Sequence, residues 1–142
     1  MPKEPKPNKK KRIRQGVRVE DKAIRTLRTL NNEEAFYFYE NINKPTGQSA
    51  RSLNEFLEKV KSVKLESLVF HLERNDFKNW IKNTLEDPKL AQKIEMLPIE
   101  HKDQLRTKIC TTVKAHLKEL EGTSVRIDEL YLSHSSLAHQ NI

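Results

Sequence analysis

Cysteine, glycine and aromatic residues are scarce in this sequence, and each scarcity excludes a class of protein. The single cysteine, Cys110, rules out an intramolecular disulfide framework and any zinc finger built on cysteines. Three glycines among 142 residues argue against a turn-rich β-sandwich or barrel and against a glycine-rich phosphate loop. With 6% aromatic and 35% hydrophobic residues, the sequence predicts a small core with a good part of the chain outside it.

Long hydrophobic runs are absent as well. No apolar run approaches the roughly 18 residues of a membrane span, and the N-terminal residues lack the apolar core of a signal peptide. We therefore expect a single-domain cytoplasmic protein, free or associated with the nucleoid or the ribosome, with no membrane partner.

Positive charge is the component in excess, and it is concentrated at the N-terminus. The formal net charge is +7. Residues 1–29 contain eleven cations and three acids, a net charge of +8, whereas the remaining 113 residues contain 16 cations and 17 acids. The eleven cations are Lys3, Lys6, Lys9, Lys10, Lys11, Arg12, Arg14, Arg18, Lys22, Arg25 and Arg28. The net charge therefore belongs to the first fifth of the chain, beside an electrostatically balanced body.

The basic segment has two parts. Residues 1–16 combine dense like charge with three prolines, a composition that predicts a disordered basic arm. From residue 17 to about residue 30, apolar residues including Ala23, Ile24 and Leu27 recur at helical spacing, which predicts a helix with a basic face. Flexible Lys and Arg side chains bind nucleic-acid phosphates by displacing counterions, without reading the base sequence. Two alternatives stay open for the arm: a localisation signal at residues 9–12 and a solubilising segment without a partner.

Apolar spacing in the body predicts an all-α fold, a compact bundle of about five to six helices. The predicted helices start at a capping box of Ser52 and Glu55, at residue 65, at Asn75 or Asp76, at Asp87-Pro88 and at Pro98, and Gly122 is the predicted end of the last. The alternating aromatic run at residues 36–39 predicts a short strand or an extended entry segment, followed by a loop over residues 41–47. We expect a disordered arm over residues 1–16, a single helical domain over residues 17–132 and a flexible tail over residues 133–142.

The residues that could do chemistry are not spaced for a metal site or for catalysis. His71, His101 and His116 lie 30 and 15 residues apart, so no pair has the spacing of ligands on one helix face. No serine has a partnered general base in its local sequence. The sequence therefore predicts no metal, no cofactor and no enzymatic activity.

One candidate pocket for a ligand or an anion is the loop that contains Thr46, Gly47 and Arg51. This loop precedes a helix N-terminus, which offers free N–H groups and the positive end of a dipole to an anion. It lacks the Gly-Lys-Ser/Thr ending of a nucleotide-binding loop, so hydrolysis of a nucleotide is not predicted. Ordinary capping of the helix is the alternative, and capping is the commoner use of such residues.

A second candidate is the cluster of His71, Asp76 and Trp80 at a helix junction. An imidazole and a carboxylate placed together could act on a ligand. The alternative is structural: Asp76 caps the next helix, His71 satisfies a backbone group and Trp80 fills the core. Such a buried junction is the commoner arrangement.

Two central stretches carry a recurring pattern of motifs, FYFYENINKPTGQSARSLNEFLEKV and SLVFHLERNDFKNWIKNTLEDPKLAQKI. The pattern is an aromatic run, a Thr-Gly loop, Ser-Leu-x-Glu-Phe, a His, Asp-Phe-x-x-Trp-Ile and Asp-x-x-Leu-Ala, and it covers about residues 35–95. It resembles a small uncharacterised domain family found mainly in archaea and also in bacteria. The resemblance implies a compact helical domain in a prokaryotic cytoplasm. It makes Thr46, Gly47, His71, Asp76 and Trp80 motif members and transfers no catalytic residue.

The leading hypothesis is a nonenzymatic protein that binds DNA or RNA, ribosomal RNA included, through its basic N-terminal segment. No aromatic residue lies in residues 1–35, so the arm itself has no side chain on which bases could stack. The alternative is a protein-interaction or regulatory helical module. In that case the stripe of Leu105, Ile109, Val113 and Leu117 could be the seam of a homodimer formed by the 98–121 helix, or it could be an intramolecular core stripe.

Overall fold

The computed structural model describes the backbone of residues 21–140 and the side chains of residues 21–122. In chain order the elements are α1 (residues 21–27), β1 (Phe36–Asn41), β2 (Lys44–Ala50), α2 (Leu53–Ser62), α3 (Leu65–Glu73), α4 (Asp76–Asn83), α5 (Pro88–Glu95) and α6 (Lys102–Gln140). The described part of the chain therefore holds six helices and one two-stranded antiparallel sheet. The fold is mostly helical, as predicted, but it is not purely all-α.

The sheet is a hairpin, and its second strand corrects the predicted loop over residues 41–47. Only residues 42 and 43 form the turn, where Asn43 has φ 61°, a left-handed conformation that Asn tolerates. The register passes from Tyr37 opposite Ser49 to Tyr39 opposite Pro45, so β2 contains two extra residues in a bulge. Gly47, with φ 83°, lies in this bulge. The loop-forming residues therefore serve an irregular strand.

The first strand confirms the prediction from the alternating aromatic run. Phe36 and Phe38 are buried, whereas Tyr37 and Tyr39 face outward. The two phenylalanine rings contact Phe56 of α2 and Phe77 of α4, with ring centroids 5.1–6.1 Å apart. The hairpin is thus one wall of the hydrophobic core.

The last helix forms the opposite side of the core. Its stripe of Leu105, Ile109, Val113 and Leu117 is buried against the other helices of the domain. Of the two readings of this stripe, the structure shows the intramolecular one. The helix begins at Lys102 instead of Pro98 and continues through Gly122, so the predicted end at Gly122 is wrong. A glycine inside a helix costs only about 0.5–1 kcal/mol, which is too little to end a helix by itself.

The first helix is fixed to the body by polar contacts. Thr26 is buried and donates from Oγ1 to the carbonyl of Leu85 at 3.2 Å. Arg28 donates from Nη2 to the carbonyl of Thr84 at 2.8 Å. Ile24, which the helical spacing places on the apolar face, is instead 60% exposed. Residues 1–20 lie outside the described part, so the division into arm, domain and tail stays a prediction.

Candidate functional site

The six residues predicted for a pocket do not form one site. Thr46 donates from Oγ1 to the carbonyl of Phe38 at 2.8 Å, which ties the two strands of the hairpin together. Arg51 donates from Nε to the carbonyl of Leu30 at 2.8 Å, and Trp80 donates from Nε1 to the carbonyl of Glu34 at 2.8 Å. Gly47 has the left-handed conformation described above. These four residues hold the hairpin and the segment before it in place.

The remaining two, His71 and Asp76, are in direct contact. Nε2 of His71 accepts the backbone N–H of Tyr39 at 2.8 Å, so the ring proton belongs on Nδ1. Nδ1 lies 2.8 Å from Oδ2 of Asp76 and donates to it. The same oxygen accepts from Nε of Arg74 at 3.0 Å. His71 therefore links α3, β1 and α4.

This arrangement decides what His71 can do chemically. Burial lowers the pKa of His71, against the opposing hydrogen bond and charge of Asp76. The lone pair of Nε2, which a general base would use, is occupied by the N–H of Tyr39. The pair of His71 and Asp76 has the residue types of a catalytic dyad but is arranged as a structural link.

A groove of about 390 Å³ opens beside this link, on the outer side of the hairpin. We call it the hairpin groove, and its main lining residues are Tyr37, Tyr39, Ile42, Phe70, Arg74 and Asp76. The guanidinium carbon of Arg74 lies 4.9 Å from the centroid of the Phe70 ring. Neither of the exposed tyrosines was among the predicted pocket residues. The available signal for them was the alternation of the aromatic run, which places every second residue on the outward side of the strand.

A second His–Asp pair was missed by the sequence reasoning. Nε2 of His116 lies 2.7 Å from Oδ2 of Asp87, and both side chains are buried. Oδ1 of Asp87 accepts the N–H of Leu90 at 3.0 Å and so caps α5, as the Asp-Pro motif predicts. Nζ of Lys93 lies 3.2 Å from the other ring nitrogen, Nδ1. The 29 residues that separate the pair give no sequence signal.

These contacts lower the pKa of Asp87. Burial raises it, but the hydrogen bonds from His116 and Leu90 and the charges of His116 and Lys93 together outweigh burial. The net result is a pKa below the ordinary value of a carboxyl group. Both ring nitrogens of His116 have partners, so this pair is also a structural link, between α5 and α6.

Three of the eleven predicted phosphate-binding cations lie in the described part of the chain. Arg25 pairs from Nε with Glu86 at 3.1 Å, and Arg28 lies 3.9 Å from the same carboxylate. Lys22 is exposed and lines a cleft of about 280 Å³ together with Lys89. The other eight cations, between residues 3 and 18, lie outside the described residues.

Neither a metal site nor a membrane-spanning helix occurs within the described residues. No group of three or more His, Cys, Asp or Glu side chains in residues 21–122 is placed to hold a metal ion. None of the described helices combines the length and the apolar character needed to cross a membrane.

The chain is similar to one uncharacterised family. Residues 72–137 match the model of a family of unknown function (DUF5752), which is 66 of the 142 residues. The match runs from the end of α3 into α6 and includes Asp76, Trp80, Asp87 and His116, and it overlaps the motif-bearing stretch only over residues 72–95. No curated protein and no solved structure matches the chain.

Proposed function

We propose that this chain is a nonenzymatic nucleic-acid-associated protein whose basic N-terminal segment binds the phosphates of DNA or RNA, ribosomal RNA included. The observation that carries the proposal is the segregation of charge, +8 in residues 1–29 beside a body with one more acid than cations. A prokaryotic, mainly archaeal origin, the motif pattern over residues 35–95 as a family signature and a cytoplasmic location belong to the same proposal.

The contacts of α1 refine which cations serve this role. The guanidinium of Arg28 donates hydrogen bonds to the carbonyl groups of Arg25 and Thr84, and Arg25 forms an ion pair with Glu86. Lys22 is exposed and has no hydrogen bond or ion pair within the described residues. We therefore assign the phosphate contacts to Lys22 and to the eight cations between residues 3 and 18, with α1 as the anchor that joins them to the domain.

Salt dependence tests the proposal. If six cations meet phosphates, the logarithm of the affinity falls against the logarithm of the salt concentration with a slope of about −4 to −5. The test variant replaces Lys9, Lys10, Lys11 and Arg12 with Gln, and the slope should become shallower by about 3. The matched control replaces four exposed lysines of the body, Lys82, Lys102, Lys114 and Lys118, with Gln.

Fluorescence anisotropy measures these slopes, with labelled DNA and labelled RNA that are each tested as single strands and as duplexes. A large loss of affinity in the arm variant and little change in the control would support the proposal. Equal losses in both variants, or no salt-dependent binding by the unmodified protein, would overturn it.

The alternative remains a protein-interaction or regulatory helical module, but its homodimer form can no longer use the stripe of the 98–121 helix as a seam. The four stripe residues are at most 5% exposed because they pack inside their own domain. A dimer that used them as its seam would have to open that core first.

A further inference from the structure

The hairpin groove carries three of the five exposed large hydrophobic side chains in the described part of the chain. Tyr37 is 48%, Tyr39 36% and Ile42 67% exposed, and all three come from the hairpin. Large exposed apolar clusters on a single domain mark binding surfaces more often than scattered residues do. The volume of about 390 Å³ lies in the lower part of the range of small-ligand sites, roughly 300–1,000 Å³.

One tyrosine of the groove is held by its side chain and the other by its backbone. The hydroxyl of Tyr37 donates to the carbonyl of Asn32, and the backbone N–H of Tyr39 is bound by His71. Tyr37 and Tyr39 are alternate residues of β1, so both side chains lie on the outward side of the strand. Preorganised aromatic surfaces of this kind lose little conformational entropy when a planar ligand stacks on them.

Polar groups without partners line the same groove. Oδ1 of Asp76 and the two terminal nitrogens of Arg74 make no hydrogen bond within the described residues, although Oδ2 and Nε are bonded to each other. The amide of Asn41 accepts the N–H of Ile42 through Oδ1, which leaves its NH₂ group as a donor. The groove therefore offers acceptors and donors at the edge of an aromatic surface.

The charge of the groove favours a neutral ligand. Arg74 and Asp76 cancel, and His71 is held in its neutral form by the N–H of Tyr39. A phosphate gains little here, whereas a planar ring with hydrogen-bonding edges can use both the tyrosines and the free polar groups.

We propose that the hairpin groove binds unpaired nucleobases, so that the preferred substrate is single-stranded DNA or RNA. This inference rests on the proposed function: the arm supplies phosphate affinity but has no aromatic side chain, and the groove supplies the missing stacking surface. Bases in a duplex are stacked and paired, and they expose neither a face nor a pairing edge to such a groove.

The test compares a labelled single-stranded 12-mer with a duplex of the same sequence, using the full chain. Tyr39→Ala removes a ring, and Tyr39→Phe is the matched control that keeps it. We expect Tyr39→Ala to weaken single-strand binding by about 5- to 150-fold, the range that corresponds to the loss of one stacked base. Duplex affinity and the salt slope should not change, because the phosphate contacts lie elsewhere. Met96→Ala, at an exposed residue far from the hairpin in sequence, should have no effect.

Several results would overturn the inference. Unchanged single-strand affinity in Tyr39→Ala, with the salt slope intact, would refute the groove and leave the proposed function standing. An equal loss for single strand and duplex would mean that the ring acts through the fold. Binding of an Arg-rich peptide that Tyr39→Ala abolishes, with nucleic-acid affinity unchanged, would assign the groove to a basic peptide. Absence of salt-dependent binding to every nucleic acid would refute both proposals together.

Discussion

Replacement of His71 by Leu should destabilise the hairpin more than any surface change on it. His71 is nearly fully buried and is bonded through both ring nitrogens, to the N–H of Tyr39 and to Asp76. Leucine fills a similar volume but offers neither an acceptor nor a donor. The strand β1 would keep its phenylalanines in the core while its N–H at residue 39 lost its partner.

The size of the effect follows from these two bonds. A partly buried N–H left without a partner costs about 1–2 kcal/mol, and the lost bond to a carboxylate that is 27% exposed adds about 1 kcal/mol. We therefore expect a loss of about 2–3 kcal/mol in the free energy of unfolding, or about 6–15 °C in Tm for a chain of this size. His101→Leu, at an exposed histidine, is the control and should be nearly neutral.

The pH dependence gives this prediction a signature. Burial lowers the pKa of His71 in the folded state, so the unfolded state binds a proton more readily. The contribution of His71 to stability is therefore fully present above the pKa of the unfolded state, about 6.5. It is lost as the pH falls from there to the lowered pKa of the folded state. The slope from this group cannot exceed about 1.4 kcal/mol per pH unit.

Urea unfolding of the unmodified protein and of His71→Leu at several pH values between 5 and 7.5 measures both quantities. The difference in stability between the two proteins should shrink as the pH falls, because the variant lacks the titrating group. A difference that stays constant over this range would refute the assignment of a neutral, doubly bonded His71.

Three further predictions test other parts of the fold. Asp87→Ala should lower the free energy of unfolding by about 2–4 kcal/mol, because it removes the cap of α5 and the partner of buried His116. In the unmodified protein, the stability that comes from the lowered pKa of Asp87 should be lost only below about pH 4. Thermal unfolding measures both effects. Ile109→Asp should unfold the domain instead of dissociating a dimer, since a charge in this fully buried position costs more than about 4 kcal/mol; circular dichroism and sedimentation distinguish the outcomes. Gly122→Ala should stabilise the protein by about 0.5–1 kcal/mol, because a Cβ there meets nothing within 4 Å; destabilisation would mean that α6 ends at this glycine.

The accuracy of the sequence-based predictions depended on the range of the interactions. The caps at Ser52 and Asp87 were predicted correctly, because a stretch of four residues decides each of them, although Glu55 accepts the N–H of Arg51 instead of the N–H of Ser52 that a full capping box would use. Strand β2 was not predicted, because Pro45 and Gly47 favour a loop locally and only pairing with β1 makes the segment a strand. The end of α6 was placed too early because a glycine signal was read without the rest of the helix.

The candidate site also depends on long-range contacts that the local sequence does not predict. His71 and Asp76 lie five residues apart, and their closeness was predictable, but the N–H that occupies Nε2 comes from Tyr39, 32 residues away. Without that third partner, the pair could be read either as a dyad or as a link. The tyrosines of the hairpin groove were visible as an outward-facing phase, yet their position beside Phe70 and Arg74 depends on how β1 packs on α3.

The contacts of the two His–Asp pairs favour a function at the protein surface over one at these buried histidines. Each resembles half of a catalytic constellation, and in each both ring nitrogens already have partners within the domain. A general base needs a lone pair that faces the substrate, and neither imidazole has one to offer. Groups that do face solvent without partners include the polar groups of the hairpin groove and the exposed Lys22 of α1. The contacts of His71 and His116 therefore favour a structural role for these two histidines, and the proposed binding function has to be tested at the hairpin groove and the basic N-terminal segment.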